Sequence, residues 1–237
     1  MNTLTNQQAS QFSRRTAMDP MRKTSLTAGI LYLLTFVSIP TLVLYVPVHQ
    51  ADYITSSGTD RSVIIGGLLE IIVALTGIGT AVVLYPVLKK KHGSFAIGLV
   101  ASRILEAATI FLGVAFLLTI VTLRQDGTGS AGLVTSHTLA VLYDRIFLLG
   151  QSFIPAINDL LLGYMLYRSR LVPRALSVIG MAGALPLIAG YLAVLFGFIG
   201  QRSPLAGLSA LLVAVFEFSL GIYLVVKGFM TTETANG

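Results

Sequence analysis

Polar residues interrupt this chain at only a few places, and between them apolar runs extend for 20 residues or more. A run such as IIVALTGIGTAVVLYPVL is apolar on every side, without the period of a surface helix. About 20 residues rising 1.5 Å each cross a hydrocarbon core of roughly 30 Å. A membrane β-barrel would instead alternate apolar and polar positions over segments of about ten residues. The pattern therefore predicts transmembrane helices, whose backbone groups are satisfied internally. Six spans are expected, Thr24 to Tyr45, Val63 to Leu88, Phe95 to Thr122, Leu139 to Tyr167, Ala175 to Ile199 and Leu205 to Val226. The breaks carry turn chemistry: Pro47 and a polar stretch with Gly58, then KKKHGS, RQDGTGSAG, RSRLVPR and GQRSP. The fourth span exceeds the usual length of about 17 to 25 residues, so it should tilt, extend into the interface or kink near Pro155.

Composition agrees with this reading. Hydrophobic residues make up 54% and charged residues 11%, where soluble proteins carry about 25% charged. The net charge of +6 does not point to nucleic acid, because the basic residues collect at the ends of apolar runs. Eleven of them fall on one side: Arg14, Arg15, Arg22, Lys23, Lys89, Lys90, Lys91, Arg168, Arg170, Arg174 and Lys227. Only Arg61, Arg124 and Arg202 fall on the other. The asymmetry predicts cytoplasmic termini in the cytoplasmic membrane. The fold expected is an all-α, integral membrane bundle of six transmembrane helices over 24–227, with a polar, disordered tail at 1–23 and a short tail at 228–237. Residues 1–23 lack the apolar core of a signal peptide.

Seven charged residues lie inside the expected spans: Glu70, Arg103, Glu106, Asp144, Arg145, Asp159 and Glu217. A charge at the bilayer centre costs about 2.5 to 3.5 kcal/mol on insertion scales, which makes each a candidate functional group. Glu70 heads a stripe with Ala74, Gly77 and Ala81. Glu106 shares a face with Ser102, Thr109 and Gly113, and Glu217 one with Ala210, Ala214 and Gly221. Small residues let helices approach closely, so the three glutamates should face the bundle interior. In the fourth span Asp144, Gln151 and Asn158 form one heptad line, and Arg145, Ser152 and Asp159 the next. The expected pairings are Arg103 with Asp159 or Glu106, and Arg145 with Glu70 or Asp144. The surplus acids suit proton or cation binding, with Glu217, which has no base near it in sequence, as the leading candidate. A packing network that only holds helices together is the competing interpretation.

Cysteine is absent, and His49, His92 and His137 fall in or beside loops on different sides, so no metal or cofactor is expected. The chain contains no HExxH, GxSxG or P-loop. Lys89, Lys90, Lys91, Arg168, Arg170 and Arg174 are either topology signals or collectors of anionic lipid headgroups.

Leu84 and Tyr85 followed by Lys89, the Arg103 and Glu106 pair, and the segment LGYMLYRSRLVPRALSVIG together resemble the prokaryotic membrane family called domain of unknown function 4386. The likeness spans roughly residues 22 to 228. It implies a multi-helix membrane protein without an established activity, and it implies weight for Arg103, Glu106, Tyr167, Arg168, Ser169, Pro173 and Arg174. The function expected is binding of a small molecule, lipid or ion in a polar cavity between helices two, three, four and six, with transport as its sharper form. The alternatives are an intramembrane lipid-modifying enzyme and a structural or regulatory membrane partner. Expected partners are membrane lipids, such a ligand and a second copy of the chain.

Overall fold

The computed structural model describes residues 18–230, so most of the polar N-terminal tail, including Arg14 and Arg15, and the end of the C-terminal tail lie outside the described residues. Within them the chain is an all-α membrane bundle. Its main helices are α1 (Pro20–Leu34), α2 (Arg61–Gln125), α3 (Leu133–Phe147), α4 (Ile154–Ser169), α5 (Arg174–Leu195) and α6 (Leu211–Val226). By length and apolarity, three helical runs can cross a membrane: α2, the 41-residue run Gly129–Ser169, and α5.

The first apolar stretch is helical but broken. Pro40 has no N–H to donate, and the path tightens into a 3-10 turn at Thr35–Ser38 before a short helix at Thr41–Leu44. Thr35 and Thr41 return their hydroxyls to the carbonyls of Tyr32 and Ser38, each at 2.6 Å. Polar side chains are thereby satisfied within their own segment, as an apolar surrounding demands.

The 65 residues of α2 form two arms, because His92 leaves helical geometry (φ −139°, ψ 51°). The arms pack antiparallel: Ala74 shares a core with Ala107, Ile110 and Val114, and Gly67 faces Val114. A hairpin with a one-residue break thus stands where the KKKHGS turn is expected.

Between α3 and α4 the chain widens into a π-helical turn at Leu148–Phe153. Pro155, two residues after it, removes the N–H that an α-helix would direct at the Gln151 carbonyl. Where the length of the fourth span predicts tilt, extension into the interface or a kink near Pro155, the structure shows a local rewinding just before Pro155. Arg170, at φ 53°, then turns the chain into α5 with Pro173 as its N-cap.

Glycines set the closest helix approaches. A methyl group on Gly29 of α1 would lie 2.7 Å from the Gly221 carbonyl oxygen and 2.9 Å from the Val225 nitrogen of α6. Arg22 closes the same pair by donating to the carbonyls of Leu224 (2.9 Å) and Val225 (2.5 Å). Met230 N–H donates to the Leu171 carbonyl, so the start of α1, the end of α6 and the α4–α5 turn gather at one end. We call this the turn end, and the opposite one, with the segments at 50–60, 126–132 and 196–203, the loop end.

Apolar clusters occupy both ends of the interior. Tyr32, Leu84, Leu99, Leu162, Phe216 and Leu220 form one towards the turn end; Tyr45, Val63, Leu117, Ile120 and Tyr143 form another towards the loop end. Large apolar side chains such as Leu75, Val82, Leu105, Phe111 and Leu185 point outward. Charged groups held inside and large apolar side chains turned outward suit lipid as the surrounding solvent.

Candidate functional site

Three helices bring charge together between the apolar clusters. Arg103, on the second arm of α2, is 4% exposed and donates to Glu106 Oε2 at 3.0 Å. The i,i+3 spacing places these two side chains on one face. Its other terminal nitrogen, Nη2, donates to Glu217 Oε1 of α6, and its guanidinium stands 5.8 Å from the ring of Tyr32 in α1. Asn158 of α4 donates to Glu106 Oε2 at 2.7 Å. One arginine therefore joins α2 to α6, and through Glu106 to α4.

The expected pairing of Arg103 with Glu106 is present, and Glu217 is its second partner. The sequence had offered Glu217 no nearby base; the base comes from a residue 114 positions away. Asp159 is fully buried but accepts no hydrogen bond among the described residues, nor does Oδ1 of its neighbour Asn158. Three carboxylates thus surround one guanidinium.

Above this cluster opens a cavity of about 240 Å³. Arg103, Glu106 and Glu217 form its charged wall, Gln151 supplies an amide, and Phe36, Val73, Ile110 and Leu187 are among its apolar walls. The π-helical turn carries Gln151, and Gly150 beside it allows that turn to lie against Thr109. A space of this size suits a small organic ligand. Ser38 and Thr35 also line it, but their hydroxyls are directed at carbonyls of their own segment.

Glu70 lies in a separate polar pocket. It is 1% exposed, and its Oε1 accepts from the Tyr143 hydroxyl at 3.0 Å, with Tyr45 and Gln151 also beside the carboxylate. Neither arginine is its partner. Arg145 is exposed, so the expected pairing with Glu70 or Asp144 is not formed. The π-helical turn breaks the heptad lines: Asn158 and Asp159 point inward, whereas Asp144, one turn before it, reaches the loop end. There Asp144 accepts from Arg202 at 2.8 Å, and His49 Nε2 lies 3.2 Å from the same oxygen.

At the loop end Arg124 holds the 53–60 segment. It donates to Asp60 Oδ1 (2.9 Å) and to the carbonyls of Ser56 (2.8 Å) and Gly58, and it stacks 4.7 Å above the Tyr53 ring. Burial and the hydrogen bond to Asp60 push the Tyr53 hydroxyl up to about 12. Burial alone would raise the Asp60 carboxyl, but hydrogen bonds from Tyr53, Gln125 and Arg124 bring it below its ordinary value. Sequence reasoning gave Arg124 only a topological role and did not mark Asp60. Their one signal is placement, at opposite ends of the two α2 arms. Tyr32 and Tyr143 were missed because a tyrosine in an apolar run reads as packing, and Tyr45 because one at a span end reads as part of an aromatic belt.

The basic candidates Lys89, Lys90, Lys91, Arg168, Arg170 and Arg174 are all exposed. Lys89 and Arg174 lie over the rings of Tyr85 and Tyr167, each at 5.2 Å. No group of three or more His, Asp or Glu side chains among the described residues is placed to hold a metal ion.

The family model described as Domain of unknown function (DUF4386) matches residues 27–228. No curated protein and no solved structure matches the chain.

Proposed function

Since the chain belongs to the domain of unknown function 4386 family, a membership that fixes no chemistry, we propose a function from the site itself: binding of a small organic cation in the cavity walled by Arg103, Glu106 and Glu217. The observation that carries this reading is the excess of carboxylate over guanidinium. Glu106 and Glu217 border the cavity, Asp159 is buried nearby without a hydrogen-bond donor among the described residues, and Arg103 is the one cation paired with the two glutamates among those residues. In a low-dielectric interior such an excess draws a positive charge, and the apolar walls match a short hydrocarbon body. A primary alkylammonium combines the two.

The reading concerns binding and not turnover. An intramembrane enzyme needs a nucleophile beside its acid or base, and the hydroxyls lining this cavity are engaged with backbone carbonyls. In this proposal the chain crosses the cytoplasmic membrane six times with both termini inside. Eleven basic residues against three support that orientation, and α1 reaches across by way of its broken continuation to Leu44. The exposed basic residues of the turn end then face anionic headgroups.

Protein in nanodiscs should be stabilised against heat by butylammonium and not by butyrate or butanol, which match it in size. At a hundredfold excess over Kd the gain is about 2.7 kcal/mol. Glu217→Gln should remove most of that gain. Equal effects of all three compounds, or an undiminished response in Glu217→Gln, would end the proposal.

A further inference from the structure

A second cavity, of about 580 Å³, opens at the loop end, lined by Tyr45, His49, Tyr143, Asp144, Phe147 and Arg202 among others. Tyr143 has two faces. It borders this cavity, and its hydroxyl donates to Glu70 Oε1 at 3.0 Å. Gln151, also beside Glu70, borders the inner cavity. Glu70 itself borders neither space. A proton can therefore reach it only through a neighbour. Oε1, which holds the Tyr143 hydrogen bond, is the oxygen that a proton passed along that bond reaches, and Oε2 accepts no hydrogen bond among the described residues.

We propose that Glu70 is a proton-binding site loaded from the loop-end cavity through the Tyr143 hydroxyl. A hydronium ion in the cavity gives a proton to Tyr143 Oη while Tyr143 gives its own to Glu70. Water is left, the phenol is restored, and the carboxylate has become a carboxylic acid. The groups facing Glu70 are Tyr45 from the segment after α1, Tyr143 from α3 and Gln151 from the π-helical turn. The loop-end cavity also carries Asp144 with His49 and Arg202, and the inner cavity Arg103 with Glu106. The two cavities thus meet at one buried carboxyl, and the inference stands whatever occupies the inner one.

The test uses a hydrophobic carbodiimide, which modifies protonated carboxyls in apolar surroundings. Sealed vesicles of uniform orientation, established by protease cleavage after Lys89 to Lys91, are labelled with the pH of each side varied separately. Modified Glu70 is counted by peptide mass spectrometry. Labelling should fall about tenfold per pH unit above the group's midpoint when the loop-end side is made alkaline. It should stay constant when the other side is. Tyr143→Phe, which keeps the ring and removes only the hydroxyl, should uncouple labelling from loop-end pH. Glu70 that is never labelled, that follows the turn-end pH, or that responds unchanged in Tyr143→Phe would overturn the proposal. Because no ligand is involved, failure here leaves the alkylammonium experiment standing, and the converse holds as well.

Discussion

Carboxylates in this bundle differ in the company they keep. Glu106 and Glu217 share a guanidinium, Glu70 has a phenol, Asp159 has no donor among the described residues, and Asp60 has three donors at the loop end. Asp60 gives the clearest pH consequence. Its carboxyl in the fold lies below the ordinary value of 3.8, so the stabilisation it contributes is complete above that value. As pH falls through the lowered value the proton enters, the ion pair with Arg124 is lost, and the 53–60 segment loosens. Amide exchange across residues 53–60 should accordingly rise on acidification, after correction for the intrinsic rate. Asp60→Asn should show the fast exchange already at neutral pH; slow exchange in that variant would count against the clamp. Of these carboxylates, the sequence marked Glu70, Glu106, Asp159 and Glu217 through small-residue faces and polar lines within apolar runs. Asp60 was invisible to that argument because an acid in a polar loop costs nothing to place, and nothing in the sequence says that Arg124 folds back onto it.

At the level of elements, the spans on either side of the His92 break were legible because hydropathy is decisive over 20 or more residues. The rewound turn at Leu148–Phe153 was not, since a π turn differs from an α turn by one residue and leaves composition unchanged. That residue determines which side chains meet. It retires the heptad lines through Asp144 and Arg145 and places Gln151 between Glu70 and the inner cavity. The α1–α6 contact depends on the opposite device, absence of a side chain. Gly29→Val would drive Cβ into backbone atoms of Gly221 and Val225 that have no rotamer with which to yield. The expected destabilisation is about 1 to 3 kcal/mol, read from thermal unfolding in micelles. A loss equal to that of Gly93→Val, where a Cβ would meet nothing within 4 Å, would show that the close approach is not maintained.

On the scale of the whole molecule, absence of cysteine makes topology directly measurable, because any introduced thiol is unique. Cysteines at Ser56 and Gly200 should react with an impermeant maleimide from one side of a sealed vesicle, and cysteines at Lys90 and Arg170 from the other. Labelling of Lys90 and Gly200 positions from the same side would contradict the arrangement. The hairpin of α2 also has a meaning in time. Both of its arms are complete at Gln125, well before Glu217, and the Arg103–Glu106 pair is synthesised more than a hundred residues before it. Of the two carboxylates that Arg103 bonds in the finished fold, the one present when its own helix enters the bilayer is Glu106, three residues along. Glu106 is thus an escort during biosynthesis, and Glu217, arriving with the last helix, converts a provisional pair into the finished site.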